Sequence, residues 1–256
     1  MLISYKGSSE LYSIEIMSTT RQIHSLFFDS LPSTNSWLKE HIDTLDPQGL
    51  TCVIAKQQTK GRGQQGKVWV SCPGNLLATF YFTTNVLGGN FAQLLSLSCV
   101  IALQKEDIFL SLKWPNDLIL EEKKVGGILC ETIPLDKHVG VIIGIGLNCA
   151  SSPQHLDQPV TSLAETFSRE FDTQKLCHMI LTQFLQDLTL FEREGFAPFH
   201  NLYSHFLNKK CGDPICIQQG SKKMEGLFHS IDTNGSLVVQ QQDGSLVTLF
   251  SGHLAS

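Results

Sequence analysis

Three absences bound what this chain can be. There is no C-x-x-C pair: the eight cysteines (Cys52, Cys72, Cys99, Cys130, Cys149, Cys177, Cys211 and Cys216) are scattered. Several lie in apolar runs, where a reduced thiol packs like a small hydrophobe, so neither a zinc site nor a disulfide framework is expected. A reducing, cytoplasmic setting fits this usage best. No apolar run is long enough to cross a bilayer; the longest, "VGVIIGIGLN", is about half the length required. The start, "MLISYKGSSELYSIEIMSTTRQ", lacks a basic stretch followed by an apolar core and does not read as a signal peptide. The third absence is of excess positive charge. A formal net charge of -5 argues against general affinity for nucleic acid, so any cationic site must be a local cluster. What remains is a soluble, globular composition at a length of 256 residues, enough for one large domain or a medium one with a small companion.

No repeat or low-complexity tract interrupts the chain. "HSLFFDSL" (His24–Leu31) reads as the first strand. "STNSWLKEHIDTL" opens on capping residues and places Trp37, Leu38, Ile42 and Leu45 on one helical face. "TCVIAKQQ" and "NLLATFYFTT" read as strands, and "GNFAQLLSLSCVIALQKE" as a helix with an apolar stripe. Strands "IFLSLKW", "KVGGILCET" and "HVGVIIGIGLN" follow, with a turn, a short strand and a hairpin tip in "PNDLILEEKK". A helical region covers about Thr173–Phe206, broken near Glu194-Gly195. Beyond Cys211, short strands alternate with Gly-Ser, Asn-Gly and Asp-Gly turns, a small all-β module. We place the divisions at 1–23 (extension), 24–208 (main domain) and 209–256 (β module).

"GRGQQGKVW" (Gly61–Trp69) matches G-x-G-x-x-G. A dinucleotide fingerprint needs a helix directly after the loop and an acidic residue about 20 positions on. Here the loop runs into "KVWVSCPGN", and no Asp or Glu occurs between Ser71 and Lys105. A kinase needs its lysine after the loop, with H-R-D and D-F-G; "VIAK" precedes the loop and both motifs are missing. A P-loop needs Gly-Lys-Ser/Thr, where the chain has Gly66-Lys67-Val68. Two readings survive: an anion site made by backbone N–H groups with Arg62 and Lys67, or a flexible hairpin. A second cluster, "KWPNDLILEEKKVGGILCE", gathers Lys113, Asn116, Asp117, Lys123, Lys124, Gly126 and Gly127. Singly these are a turn and a solvated hairpin tip. Together they set cations and a carboxylate beside a strand whose paired glycines admit something close to its backbone. "GIGLN" (Gly144–Asn148) repeats that feature.

Five stretches in this order, "STN" (Ser33–Asn35), "QTKGRGQQGKVW" (Gln58–Trp69), "KWPNDL" (Lys113–Leu118), "KKVGGILCE" (Lys123–Glu131) and "GIGLN", resemble the biotin–protein ligases. The resemblance runs from about Ser25 to the C-terminus. It implies an α+β fold: a central mixed β-sheet with flanking helices, of the class II synthetase-like biotin/lipoyl ligase type, and a small C-terminal SH3-like β-barrel. With about two dozen residues before the first strand, the chain resembles the class lacking a DNA-binding helix-turn-helix.

The implied reaction has two steps. Biotin and ATP, with Mg²⁺, give biotinyl-5′-AMP and pyrophosphate; a lysine of a biotin carboxyl carrier protein, such as that of acetyl-CoA carboxylase, then takes the biotinyl group. By resemblance Lys124 holds the biotin carboxylate and α-phosphate, and Lys113 faces the phosphates. Arg62 and the loop, with Gly61, Gly63, Gln64 and Lys67, close over the adenylate, and Trp69 is an apolar wall. Ser33, Thr34, Asn35 and Gln58 suit the ureido ring. Gly127 and Gly144 let the ligand lie against bare backbone, and Asn116 and Asn148 complete the set. Asp117 is the matched candidate for general base, or only a turn cap. No recognisable side-chain cage for the metal accompanies them. Gln64 and Lys67 stand where the family commonly has arginines, which implies weaker retention of the adenylate. A homodimer is left open; nucleic acid and membrane are not expected partners. The rival expectations are a lipoate–protein ligase and a non-catalytic biotin sensor on the same scaffold.

Overall fold

Alternating and apolar segments become strands where their period demands it. The computed structural model describes residues 2–4, 10–17, 21–87, 89–154, 158–219 and 222–254, with backbone only for 2–4, 10–17 and 222. In chain order the elements are β1 (Leu2–Ser4), β2 (Glu10–Met17), β3 (Gln22–Leu31), α1 (Thr34–His41), β4 (Leu50–Gln58), β5 (Leu76–Thr84) and α2 (Phe91–Gln104). Then come β6 (Ser111–Lys113), β7 (Asp117–Leu120), β8 (Lys123–Pro134), β9 (Val139–Leu147), α3 (Leu163–Phe167), α4 (Thr173–Glu194) and α5 (His200–Phe206). The last five strands are β10 (Pro214–Gln219), β11 (Lys222–Ile231), β12 (Leu237–Gln240), β13 (Leu246–Leu249) and β14 (His253–Leu254).

Two strands precede the one expected to come first. β2 pairs antiparallel with β3, and β1 with β2. The alternation in "ELYSIEIM" is a strand signal within a segment expected only as an extension. The elements expected from the sequence fall close to their places; α3, opened by a Ser162–Glu165 capping box, had no expectation. Gly195, at φ 70°, ends α4 where a left-handed residue is needed.

The chain divides into two units. The first comprises Met1–Gly88, Val125–Leu156 and Val160–His178; the second comprises Gly89–Lys124, Asp157–Pro159 and Met179–Ser256. In the first unit the sheet order is β1-β2-β3-β4-β5-β9-β8, and among these pairs only β3–β4 is parallel. Helix α1 lies against β4, β5 and β9. Its Leu38 and Trp37 pack with Phe28, Leu31, Val53, Ala55, Tyr81 and Ile142, and Ile42 and Leu45 join from the turn that follows. Trp37 and Leu38 lie on the helical face the sequence marks out, whereas Ile42 and Leu45, expected on the same helix, fall beyond its end at His41.

In the second unit α2 is buried almost all round, from Phe91 and Leu94 to Ala102 and Leu103, as a helix apolar on every side must be. Phe91 meets Phe191 of α4 at 5.1 Å between centroids. The same unit holds the hairpin β6–β7 and a five-stranded antiparallel sheet, β13-β12-β11-β10-β14, with a bulge between Phe228 and Ser230. The outcome is the expected mixed sheet with flanking helices and a small C-terminal sheet compatible with an SH3-like module. Among the described residues no helix is long and apolar enough to cross a membrane.

Candidate active site

In the first unit the predicted residues at the start of α1 meet those at the end of β4. Ser33 caps α1, its hydroxyl accepting from the Ser36 N–H at 3.4 Å. The Thr34 N–H and hydroxyl both donate to Gln58 Oε1, at 2.8 and 3.1 Å. Thr79 of β5, with one proton to give, lies 2.6 Å from the Thr34 hydroxyl and 2.8 Å from Asn35 Oδ1. Asn35 Nδ2 donates to Glu131 Oε2 at 3.1 Å. Ser33, Thr34, Asn35 and Thr79 are all buried. The result is a relay of neutral amides and hydroxyls, each with a partner, as buried polar atoms require.

The glycines beneath this relay serve the protein's own side chains. β9 carries Gly144 and Gly146 on one face, opposite Leu129 and Gly127 of β8. A Cβ on Gly144 would run into Asn35 Oδ1, and one on Gly146 would run into the Trp69 indole. The bare backbone expected to receive a ligand at Gly144 therefore seats Asn35 and Thr79, and Trp69 lies over Gly146, a glycine to which the sequence reading gave no role. Asn148, 2 % exposed, is engaged within the fold. Its Oδ1 accepts from Asn75 at 3.2 Å, and its Nδ2 donates to the Thr161 carbonyl at 3.1 Å.

The glycine loop is a hairpin. Arg62 and Val68 form an antiparallel bridge, and Trp69 N–H donates to the Gly61 carbonyl at 3.0 Å. A Cβ on Gly61 would strike the Trp69 carbonyl, which explains that glycine. Gln64, Gln65 and Gly66 form the tip, with Gln65 at φ 55° and Gly66 at φ 76°. Val68 is 76 % exposed. The Arg62 guanidinium reaches both oxygens of Glu131, at 2.7 and 3.4 Å, and Lys39 Nζ stands 3.8 Å from the same carboxylate. Glu131 thus joins Arg62 to Asn35. It and Thr79 are what the sequence reading missed. Thr79 is the one aliphatic hydroxyl within "LLATFYF", and Glu131 shares a strand face with Gly127 and Leu129 by the two-residue period.

In the second unit the predicted residues cluster on β6, β7 and the start of β8. Lys113, Asn116 and Asp117 are buried, and a cis peptide joins Trp114 to Pro115. Lys124 Nζ lies 2.6 Å from Asp117 Oδ1, with side chains 18 % and 4 % exposed. An ion pair this dry is expensive to bury, and removal of either partner would strand the other's charge. Its ammonium has three N–H donors, and Asp117 uses one.

Thiol chemistry is disfavoured nearby. Burial, with Glu131 beside it, pushes the Cys130 thiol up to about 12. Burial likewise holds Cys149 at about 12, so neither is a thiolate at neutral pH. Among the described residues no group of three His, Cys, Asp or Glu side chains is placed to hold a metal.

A model of the biotin/lipoate A/B protein ligase family matches residues 27–148. A biotin–[acetyl-CoA-carboxylase] ligase of Paracoccus denitrificans is 31% identical over 215 residues, covering 78% of this chain and 88% of that protein. A bifunctional ligase/repressor of Escherichia coli (strain K12) is 30% identical over 241 residues, 88% of this chain and 71% of its own length. A solved biotin protein ligase of Aquifex aeolicus, in complex with biotin and ATP, superposes with a TM-score of 0.77 at 27% identity, covering 90% of this chain and 97% of that one.

Proposed function

The chain belongs to the biotin–protein ligase family, and from that premise we propose how its own groups carry the reaction. It is an ATP-dependent ligase that attaches biotin to protein, with a biotin carboxyl carrier protein as acceptor. We assign the neutral relay of Thr34, Asn35, Gln58 and Thr79 to the ureido ring, with Ser33 holding the turn that presents it. Directional N–H and C=O partners recognise a neutral urea without adding charge. The apolar Trp69 flanks the same face.

The observation that supports the charged half is the Lys124–Asp117 contact at 2.6 Å. Asp117 anchors the Lys124 ammonium, which is assigned to the biotin carboxylate and the α-phosphate; these repel each other until a cation stands between them. Attack of the carboxylate on the α-phosphorus gives biotinyl-5′-AMP and releases pyrophosphate. Lys113 and Asn116 sit on the phosphate side. Arg62 leaves Glu131 to meet the adenylate, with Gly61, Gly63, Gln64 and Lys67 supplying the loop. In the second step the carrier's lysine must lose a proton. At an ordinary pKa near 10.4, only about one amine in 2,500 is neutral at pH 7, so Asp117 accepts the proton as the amide forms and AMP leaves.

Mg²⁺ would neutralise the triphosphate. Without a carboxylate cage among the described residues, it fits as an ion held chiefly by the nucleotide's oxygens near Lys113 and Asn116. Gly127, Gly144 and Asn148 support the site through the backbone they leave open or fix. We further propose the divisions 1–23, 24–208 and 209–256, a cytoplasmic location, and no nucleic-acid partner, the last on the net charge of -5. The possibility of a homodimer is left to solution measurement.

The test is mass spectrometry of a carrier domain incubated with the protein, biotin and Mg-ATP, beside an assay of pyrophosphate release. One biotinyl group per carrier is expected, lost in Lys124→Ala. Labelling with lipoate in place of biotin, or biotin binding without pyrophosphate release, would each overturn the assignment.

A further inference from the structure

One turn of the C-terminal sheet is hydrogen-bonded to the segment that carries the charged cluster. Between β11 and β12, Asp232 Oδ1 accepts from the Asn234 and Ser236 N–H groups at 2.8 and 2.9 Å. Gly235 N–H donates to the Asp232 carbonyl at 2.9 Å. The turn is therefore rigid, and Gly235, at φ 79°, adopts a conformation glycine accepts at no cost. Its carbonyl receives two donors: Trp114 Nε1–H at 3.1 Å and Gln93 Nε2–H, from α2, at 2.7 Å. Asn90 Nδ2 donates to the Asn234 carbonyl beside it. A Cβ on Gly235 would collide with the Asn90 and Gln93 side chains.

From there the contacts run on to the proposed catalytic residues. The Tyr203 hydroxyl, fully buried, donates to the Pro115 carbonyl at 3.2 Å. Burial above all pushes the Tyr203 hydroxyl pKa up, and the nearby Asp117 carboxylate adds to it. Trp114, 1 % exposed, stands between Lys113 and the Pro115-Asn116-Asp117 turn. Its indole is thus held in the segment that carries both Lys113 and Asp117.

We propose that the turn Asp232–Ser236 sets the geometry of Lys113–Asp117, with Trp114, Gln93, Gly235 and Tyr203 as positioning residues for the nucleotide step. The C-terminal module then acts on the charged half of the site, through Lys113 and Asp117, and leaves the neutral relay of Thr34, Asn35, Gln58 and Thr79 alone. This rests on the proposed ligase function, and the experiment reads the two separately.

Trp114→Phe keeps a ring and removes the N–H; Tyr203→Phe removes the hydroxyl by a separate route, should the first fold poorly. Two measurements are paired. Amide hydrogen exchange reads positioning whatever the reaction: it should rise across residues 113–117 and stay unchanged across β9. Kinetics of biotin-dependent pyrophosphate release should show kcat/KM for ATP down roughly 10–100-fold, the scale of an ångström of misplacement, with a smaller loss of biotin affinity, since the ureido relay is untouched. Less-than-additive losses in the double variant are expected, since both side chains hold one segment. Unchanged exchange at 113–117, or biotin and ATP parameters falling together, overturns the proposal. Absence of pyrophosphate release in the unaltered protein would instead overturn the ligase reading and leave the exchange result to judge the clamp.

Discussion

The two polar clusters are built on opposite economies. In the first unit, Thr34, Asn35, Gln58 and Thr79 are neutral and partnered among themselves. In the second, Lys124 and Asp117 are charged and almost dry. A neutral network loses little on burial, because each water partner is replaced by a protein one. A buried ion pair does not recover its desolvation as readily. The difference teaches where discrimination and where force are needed: direction for a uncharged ring, charge for an anion.

The largest effect should come from breaking the ionic half. Lys124→Ala leaves Asp117 buried without its cation, which should cost about 3–5 kcal/mol of stability and remove carrier labelling to at least ~10³-fold below the unaltered rate. Asp117→Asn separates the steps. Pyrophosphate release should survive better than transfer, because only transfer needs a proton acceptor. Equal losses in both steps would make Asp117 a counter-ion and no more.

The neutral half is broken by Gly144→Ala. The added methyl must displace Asn35 or Thr79, with an overpacking cost of about 1–3 kcal/mol. Biotin affinity, measured by calorimetry, should fall roughly tenfold, in line with such an energy, while the KM for ATP holds. A fall in both would erase the division of labour between the clusters.

These clusters differ, too, in how legible they were. The charged one is written in consecutive residues: Lys113, Asn116, Asp117 and Lys124 are close in sequence and close in space. The neutral one draws Thr34 from a helix start, Gln58 from a strand end and Thr79 from mid-strand. Only the first two belonged to recognisable motifs, and Thr79 looks like any polar residue in a strand. Glu131 was quoted inside a motif yet given no role, since nothing local says that a carboxylate will face Arg62, 69 residues earlier. β2 shows the converse: the alternation in "ELYSIEIM" is local and plain in the sequence, yet the segment is expected above only as an extension. Gly235 is legible as a turn glycine, but its partners Gln93 and Trp114 lie more than a hundred residues away.

A smaller effect is expected at the loop tip, where Gln64 bears on neither cluster directly. Gln64→Arg restores a planar cation, and a hydrogen bond to a charged group contributes about 1.5–3 kcal/mol at best. Exposure at this hairpin reduces that, so adenylate release followed by rapid filtration should slow roughly threefold. An unchanged rate would show that Lys67 or Lys60 already supplies the charge.

The smallest effect tests the comparison from within the second unit, at a carboxylate served by neutral donors. Asp187 Oδ2 accepts from the Ser98 hydroxyl at 2.6 Å, and Oδ1 accepts from Gln183 Nε2 at 3.1 Å. Burial raises its pKa despite these bonds and the more distant charge of Lys105. A carboxyl held above its unfolded pKa contributes stability that is complete below about pH 4, near the unfolded pKa, and disappears as the pH rises through the folded pKa. Asp187→Asn keeps the shape and removes the charge. Its melting temperature should exceed that of the unaltered protein by about 2 °C at pH 7, after allowance for the solvent that still reaches the group. The gap should narrow as the pH is lowered through the folded pKa and close below the unfolded carboxyl's ordinary value, about 4. A variant less stable at pH 7 would mean that the ionised Asp187 is adequately held by Ser98 and Gln183, and that hydroxyls and amides alone can carry a buried charge in this unit.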